Sequence, residues 1–85
     1  MANLLEMELL TLAKKLAETV CQEAMEEAKH LIDHGEYGVA FEGICAYLKN
    51  EKLSVSRQVY RDIVRIGTIM NISSDEWEGI CRSEK

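Results

Sequence analysis

Few residues of this sequence have the type and spacing that chemistry requires, and the first candidates are two histidines. His30 and His34 stand four positions apart, so a helix would place both imidazoles on one face, a spacing that can bind zinc. Position 31 is a leucine, however, where the helix of a zinc protease carries its glutamate. A histidine at a helix C-terminus also interacts favourably with the helix dipole. We therefore interpret His34 as a helix-terminal residue and expect neither a metal nor a cofactor.

Pairs of carboxylates are the second candidates for chemistry. Glu23 with Glu27, and Asp33 with Glu36, have spacings that acid and base partners could use. Nothing in the pattern indicates a cleft that would perturb their pKa values, and such pairs are common on the solvated faces of helices. The chain also has no glycine-rich phosphate loop and no serine or cysteine triad. We expect no enzymatic activity.

The acids are concentrated in the middle of the chain. Fifteen acids and ten bases give a net charge of −5, which argues against a general nucleic-acid binder. Positions 18–42 hold seven acids and one base, a local charge of −6. This acidic band is either a solvated face or a surface that binds a basic partner. Its acids are Glu18, Glu23, Glu26, Glu27, Asp33, Glu36 and Glu42.

A basic stripe follows the acidic band. Positions 49–65 hold five bases and two acids, and Arg57, Arg61 and Arg65 recur every four residues along one helix face. Because a short polar turn precedes them, a helix-turn-helix DNA-binding or regulatory protein is the alternative function. The net charge of −5 opposes it, since DNA affinity depends on neutralising phosphates. The simpler interpretation is that these arginines are solvated or pair with acids of neighbouring helices.

Length and composition predict one small all-α domain. Eighty-five residues, 47% of them hydrophobic, fit a single domain over residues 1–85 with one modest core. The chain contains no proline, and apolar residues recur at helical spacing almost throughout. We predict a compact bundle of about four to five helices. No apolar run resembles a signal peptide or a membrane span, so we expect a cytoplasmic protein that binds no membrane. The three cysteines, Cys21, Cys45 and Cys81, are expected to be buried free thiols.

The first apolar stripe is too long for one helix of a compact domain. It would run from about Leu4 to Asp33, roughly 45 Å, whereas a domain of this size is about 30 Å across. The weakest helix formers cluster at positions 19–21, so we predict a break or bend there. A protruding helix that forms a homodimer, as in a self-associating adaptor, is the alternative.

The remaining helices are marked by their end signals. Gly35 predicts a helix end, because glycine enters the left-handed conformation at little cost. The next helix begins at Glu36, and its glycines, Gly38 and Gly43, suggest close approach of another helix or of a partner's backbone. Ser54 or Ser56 is expected to cap a third helix, with Val59, Ile63, Ile66 and Met70 on its apolar face. A capping box of Ser73 with Glu76 should begin a last helix anchored by Trp77 and Ile80.

The order of these motifs resembles the MafI-like immunity proteins over about residues 30–80. The shared features are a helix ending in His34-Gly35-Glu36-Tyr37-Gly38, Cys45 near the end of the next helix, and Ser56 with Tyr60 in a serine-capped helix. An acidic ending with tryptophan follows at Asp75-Glu76-Trp77.

This resemblance implies an inhibitor of a bacterial toxin, of the kind found in contact-dependent inhibition systems. The toxin would be a nuclease, often an RNA-cleaving domain of the EndoU type, bound in a stoichiometric complex. An acidic surface suits that partner, since a nuclease needs a basic groove for phosphates. We expect no direct binding of nucleic acid. The residues expected to contact the toxin are Glu23, Glu26, Glu27, Asp33, Glu36, Tyr37 and Glu42.

Overall fold

The computed structural model describes residues 4–83, which form five helices and one very short parallel ladder. The all-α prediction is confirmed. The radius of gyration of the Cα atoms is 11.7 Å. The core is one continuous cluster, in which Phe41 and Leu48 are 0% exposed. The helices are α1 (Leu4–Leu16), α2 (Gln22–Asp33), α3 (Tyr37–Asn50), α4 (Arg57–Ile69) and α5 (Asp75–Glu78), and the strands are β1 (Ser54–Val55) and β2 (Cys81–Arg82).

The long N-terminal stripe is broken, as predicted, between α1 and α2. Residues 17–21 leave the helix, and the amide of Val20 turns back to the carbonyl of Leu16 at 2.8 Å. Val20 is 3% exposed, so the stripe continues through the break while the direction of the chain changes. Because α1 packs against α2 and α4, the alternative prediction of a protruding helix is wrong for the described residues. Leu4 and Met7 remain exposed on α1, and a homodimer through this helix stays a prediction.

Gly35 ends α2 as predicted. Its φ is +78°, and its amide donates to the carbonyl of Ile32 at 3.0 Å. The amide of Glu36 donates to the carbonyl of Leu31 at 2.8 Å, which completes a Schellman motif. Glu36 is then the N-cap of α3, so two helices are joined almost without a loop.

Replacing Gly35 with valine should destabilise the fold. A β-branched residue is poorly tolerated at positive φ, so we expect a loss of about 1–2 kcal/mol in the free energy of unfolding. Asparagine tolerates this conformation better, and Gly35→Asn should lose less. Urea denaturation of both variants measures the difference. Equal stability of Gly35→Val and the parent would contradict the positive φ at this position.

The caps of the later helices are partly as predicted. Ser56 caps α4, and its Oγ accepts from the amide of Val59 at 3.2 Å. The predicted capping box of Ser73 with Glu76 is wrong, because the residue before α5 is Ser74, whose hydroxyl donates to Glu78 at 3.0 Å. The apolar anchors are nevertheless placed as expected, since Trp77 and Ile80 are both buried.

The ladder between β1 and β2 was not predicted. Ser54 pairs with Cys81, Val55 pairs with Arg82, and the amide of Ser83 donates to the carbonyl of Val55 at 2.7 Å. Two residues are too few to produce an alternating pattern that sequence reasoning can detect. The ladder matters because it brings the end of the described chain against the start of α4.

A charged network fastens α4 to α1. Asp62 is 6% exposed and accepts from Lys15 at 2.7 Å, from Arg65 at 3.2 Å and from Gln58 at 3.3 Å, while Arg65 also pairs with Glu8. Burial alone raises the pKa of the Asp62 carboxyl, but the hydrogen bonds from Lys15, Arg65 and Gln58 outweigh it and lower the pKa below its ordinary value.

The lowered pKa makes stability depend on pH. A carboxyl whose pKa is lower in the folded protein stabilises the fold at pH values above its pKa in the unfolded chain, about 3.9. This stabilisation is lost as the pH falls through the pKa that the carboxyl has in the folded protein. Asp62→Asn should therefore lower the free energy of unfolding by about 1–2 kcal/mol at pH 7. The loss is modest because the side chains of Lys15 and Arg65 are 40% and 50% exposed, so water screens their charges. The difference in the free energy of unfolding between Asp62→Asn and the parent should become smaller below about pH 4. Urea denaturation at several pH values measures it, and a constant gap would contradict the charged network.

Candidate protein-binding surface

An open apolar groove lies between α2 and α3. Its volume is about 300 Å³, with Ala24, Ala28 and Leu31 of α2 on one side and Val39, Gly43 and Tyr47 of α3 on the other. Val39 is 52% exposed, one of four large apolar side chains that are more than half exposed among residues 4–83. We call this feature the α2–α3 groove.

Small residues create the groove. Alanines at positions 24 and 28 face Gly43, where an added Cβ would meet no atom within 4 Å. The same holds for Gly38, so the predicted approach of another helix to these glycines is wrong within the described residues. The other expectation, that Gly43 admits the backbone of a partner, stays a prediction. The floor is still closed, since Met25 and Ile44 are 4% and 3% exposed.

Acids of the acidic band border the groove. Glu27 lines it, and Glu23 lies one turn earlier on the same face of α2. Glu36 is at the turn between the two helices, and Glu42 lies three positions after Val39 on α3. These four carboxylates are exposed and form no ion pair within residues 4–83. Four of the six acids predicted to contact a toxin therefore lie around the groove.

Two predicted contact acids lie farther from the groove. Glu26 and Asp33 are seven positions apart on the outer face of α2, and both are exposed. Glu26 accepts a hydrogen bond from the amide group of Gln22 at 3.0 Å. They extend the negative surface beyond Glu23 and Glu27 rather than bordering the groove.

The aromatic residue of the groove is Tyr47, which the sequence reasoning missed. The predicted aromatic contact, Tyr37, is half-buried against the core, and its hydroxyl donates to Glu6 at 3.3 Å. Tyr47 is spaced four and eight residues from Gly43 and Val39, so their shared helix face was the signal that could have identified it.

Cys21 lies close to this aromatic residue at the start of α2. It is exposed, as is Cys81, so the expectation of three buried thiols is wrong for both and holds only for Cys45. Interaction with the Tyr47 hydroxyl, and then with the backbone amide of Ala24, lowers the pKa of the Cys21 thiol. Burial raises the pKa of Cys45 to about 12, which keeps that thiol protonated.

The imidazole rings of His30 and His34 contact each other at the end of α2, tilted by 47°. Their ring centres are 4.3 Å apart, and Nδ1 of His34 lies 2.9 Å from the carbonyl oxygen of His30. Since a carbonyl only accepts, Nδ1 carries the hydrogen of this bond. In the described part of the chain, no three histidine, cysteine or acidic residues come together as a metal site would require.

The basic stripe does not act as one surface. Arg65 pairs with Glu8 of α1 and with Asp62, as expected if these arginines pair with nearby acids rather than bind DNA. Arg57 and Arg61 instead line an open cleft with Arg82, a residue that the helical spacing did not connect with them. The three arginines predicted to read DNA are therefore divided between two environments.

Comparison of the chain with protein-family models, curated proteins and solved structures gave no match. Within residues 4–83, no helix has the length and apolar character needed to cross a membrane. The function has to be argued from the α2–α3 groove and its charged border.

Proposed function

We propose that this protein is an immunity protein, which binds a nuclease toxin through the α2–α3 groove and the acids around it and so neutralises it. The observation that carries the proposal is the combination of Val39, 52% exposed beside an open apolar groove, with bordering carboxylates that form no ion pair within residues 4–83. Protein interfaces commonly have an apolar centre and a polar, solvent-accessible rim. The protein itself performs no reaction in this proposal.

The chemistry of the surface supports a basic protein partner. An apolar side chain of the partner would enter the groove, and its lysines or arginines would face Glu23, Glu27, Glu36 and Glu42. Complementary charge steers encounter and selects among partners. An RNA-cleaving nuclease presents such charge, because its substrate groove must neutralise phosphates.

The resemblance to MafI-like immunity proteins supports the finer assignment. It favours a toxin of the EndoU type, a one-to-one complex, and action in the cytoplasm, where an RNA-cleaving toxin does its damage. The acidic surface would either occupy the RNA groove of the toxin or bind beside it.

Co-expression with a candidate toxin domain tests the function. The domain to use is the C-terminal domain of a large exported protein encoded next to this chain. We expect the protein to restore growth of cells that produce the domain, and the two to elute together from a size-exclusion column. Growth arrest despite full production of this protein, with separate elution, would contradict the proposal. A nuclease domain of the same class from an unrelated system is the matched control and should not be neutralised.

A further inference from the structure

A second charged surface lies where the first two turns of α4 meet β2. Arg57, Tyr60, Arg61, Arg82 and Ser83 line an open cleft of about 460 Å³. Residues 57–61 and 82 are far apart in sequence, and the β1–β2 ladder brings them together. We call this feature the basic cleft.

The guanidinium group of Arg82 is held in place by an aromatic ring. Its central carbon lies 4.5 Å from the centre of the Tyr60 ring, a cation–π arrangement. A cation–π contact of this kind uses the positive charge of the guanidinium group and does not consume its N–H donors, which can still bind an anion. A planar donor positioned beforehand loses less freedom when it binds an anion than a free side chain would.

The charges of the basic cleft have no acidic partner among residues 4–83. Within residues 4–83, Arg57, Arg61 and Arg82 form no ion pair, whereas Arg65 on the same helix pairs with two acids. Arg57 is also the first residue of the 13-residue α4, at the end where the helix dipole is positive. Three like charges grouped in this way repel one another, so an anion among them would be favourable.

We propose that the basic cleft is a binding site for a phosphoryl group, carried either by inorganic phosphate or by the di- or triphosphate of a small molecule. A phosphoryl group has a charge of about −1.5 to −2 at neutral pH and three acceptor oxygens. Guanidinium groups match those oxygens with paired N–H donors. Several arginines around one cleft suit a multiply charged anion better than a single carboxylate.

Two larger anionic partners fit the cleft less well. An acidic peptide docks through buried apolar or aromatic anchors, and the one aromatic ring here, Tyr60, is covered by Arg82. A nucleic acid would extend beyond the cleft and meet a protein of net charge −5. A compact phosphorylated molecule avoids both problems.

Calorimetric titration at constant ionic strength tests the site. The probes are inorganic phosphate, pyrophosphate and ATP, with a hexaglutamate peptide and a short single-stranded DNA as competitors. We expect saturable binding of at least one phosphate probe, weakened about ten-fold or more by Arg57→Gln, Arg61→Gln or Arg82→Gln. Arg82→Lys should also bind more weakly, because it keeps the charge and loses the paired donors. Lys29→Gln, an equal charge change on α2, should bind as the parent does.

The ranking of the probes identifies the source of the phosphoryl group. Equal affinity for all three phosphate probes indicates inorganic phosphate, and tighter binding of pyrophosphate and ATP indicates a di- or triphosphate. The proposal is overturned if no phosphate probe saturates, if the peptide or the DNA binds more tightly, or if Lys29→Gln weakens binding as much as the cleft variants. Circular dichroism of each variant verifies that it is folded. None of these results depends on the toxin, so this site and the proposed function are tested separately.

Discussion

Gly67→Ala should lower the free energy of unfolding by about 3 kcal/mol, the largest loss we expect from any single methyl group in this chain. A Cβ at Gly67 would lie 2.8 Å from both Cε3 and Cη2 of Trp77, and closer still to Cζ3. The ring has little room to move away, because Trp77 is 6% exposed and packs edge to face against Phe41, with the two ring centres 6.1 Å apart. Thermal denaturation should show a midpoint lower by about 12–24 °C.

Gly43→Ala is the matched control for this prediction. Gly43 also lies inside a helix, but an added Cβ there meets no atom within 4 Å. Alanine favours a helix by about 1 kcal/mol over glycine, so this variant should be more stable than the parent. Because Trp77 is the one tryptophan of the chain, its fluorescence reports directly on the packing that Gly67 permits.

A double variant separates overpacking from other effects. Trp77→Leu removes the ring and leaves space near Gly67, and this substitution by itself destabilises the fold. Gly67→Ala should lower the free energy of unfolding much less in the Trp77→Leu background than in the parent. Such non-additivity is expected when two side chains are in contact. Equal costs in both backgrounds would mean that the ring does not restrict position 67.

The helices and their end signals could be predicted because they depend on neighbours in sequence. Gly35 ends α2 and Ser56 caps α4, since both signals act within a few residues. The length of the first stripe, compared with the size of a domain, indicates a break, and the weak helix formers at positions 19–21 indicate where it lies. The closeness of Gly67 to Trp77 gave no such signal, because a tertiary contact between two helices produces it.

The acids of the candidate site could be predicted, but the groove could not. Charge density alone identified Glu23 and Glu27 as exposed residues, which they are. The α2–α3 groove depends on the side chains facing each other across two helices, and periodicity gives no information on that pairing. For the same reason Arg82 could not be connected with Arg57, since the ladder that joins them has only two residues in each strand.

Reversing three acids on α2 should greatly slow the association with a toxin. Glu23, Glu26 and Glu27 are exposed and off the core, so the Glu23→Lys, Glu26→Lys, Glu27→Lys variant should fold normally. It raises the net charge by six and places positive charge along the α2 side of the groove. Electrostatic steering contributes about 10-fold to 1,000-fold to association rates, so we expect at least a 10-fold decrease at low salt.

A control with the same change in net charge isolates the surface from the overall charge. Asp75, Glu76 and Glu78 lie on α5, where Trp77 contacts Phe41. On α3, Phe41 and Gly43 are two positions apart and therefore point to opposite sides, so α5 lies away from the groove. Reversing these three acids should leave the association rate within a few-fold of that of the parent.

The association rate of this protein with the toxin domain at two ionic strengths tests the central claim most directly. Stopped-flow mixing compares the parent, the α2 variant and the α5 control at about 20 mM and 300 mM salt. The account predicts that the α2 variant is slowest at low salt, and that the gap narrows at high salt, where charges on the surface are screened. Equal rates for the α2 variant and the parent at both ionic strengths, together with full protection of cells, would contradict the binding surface proposed for α2 and α3.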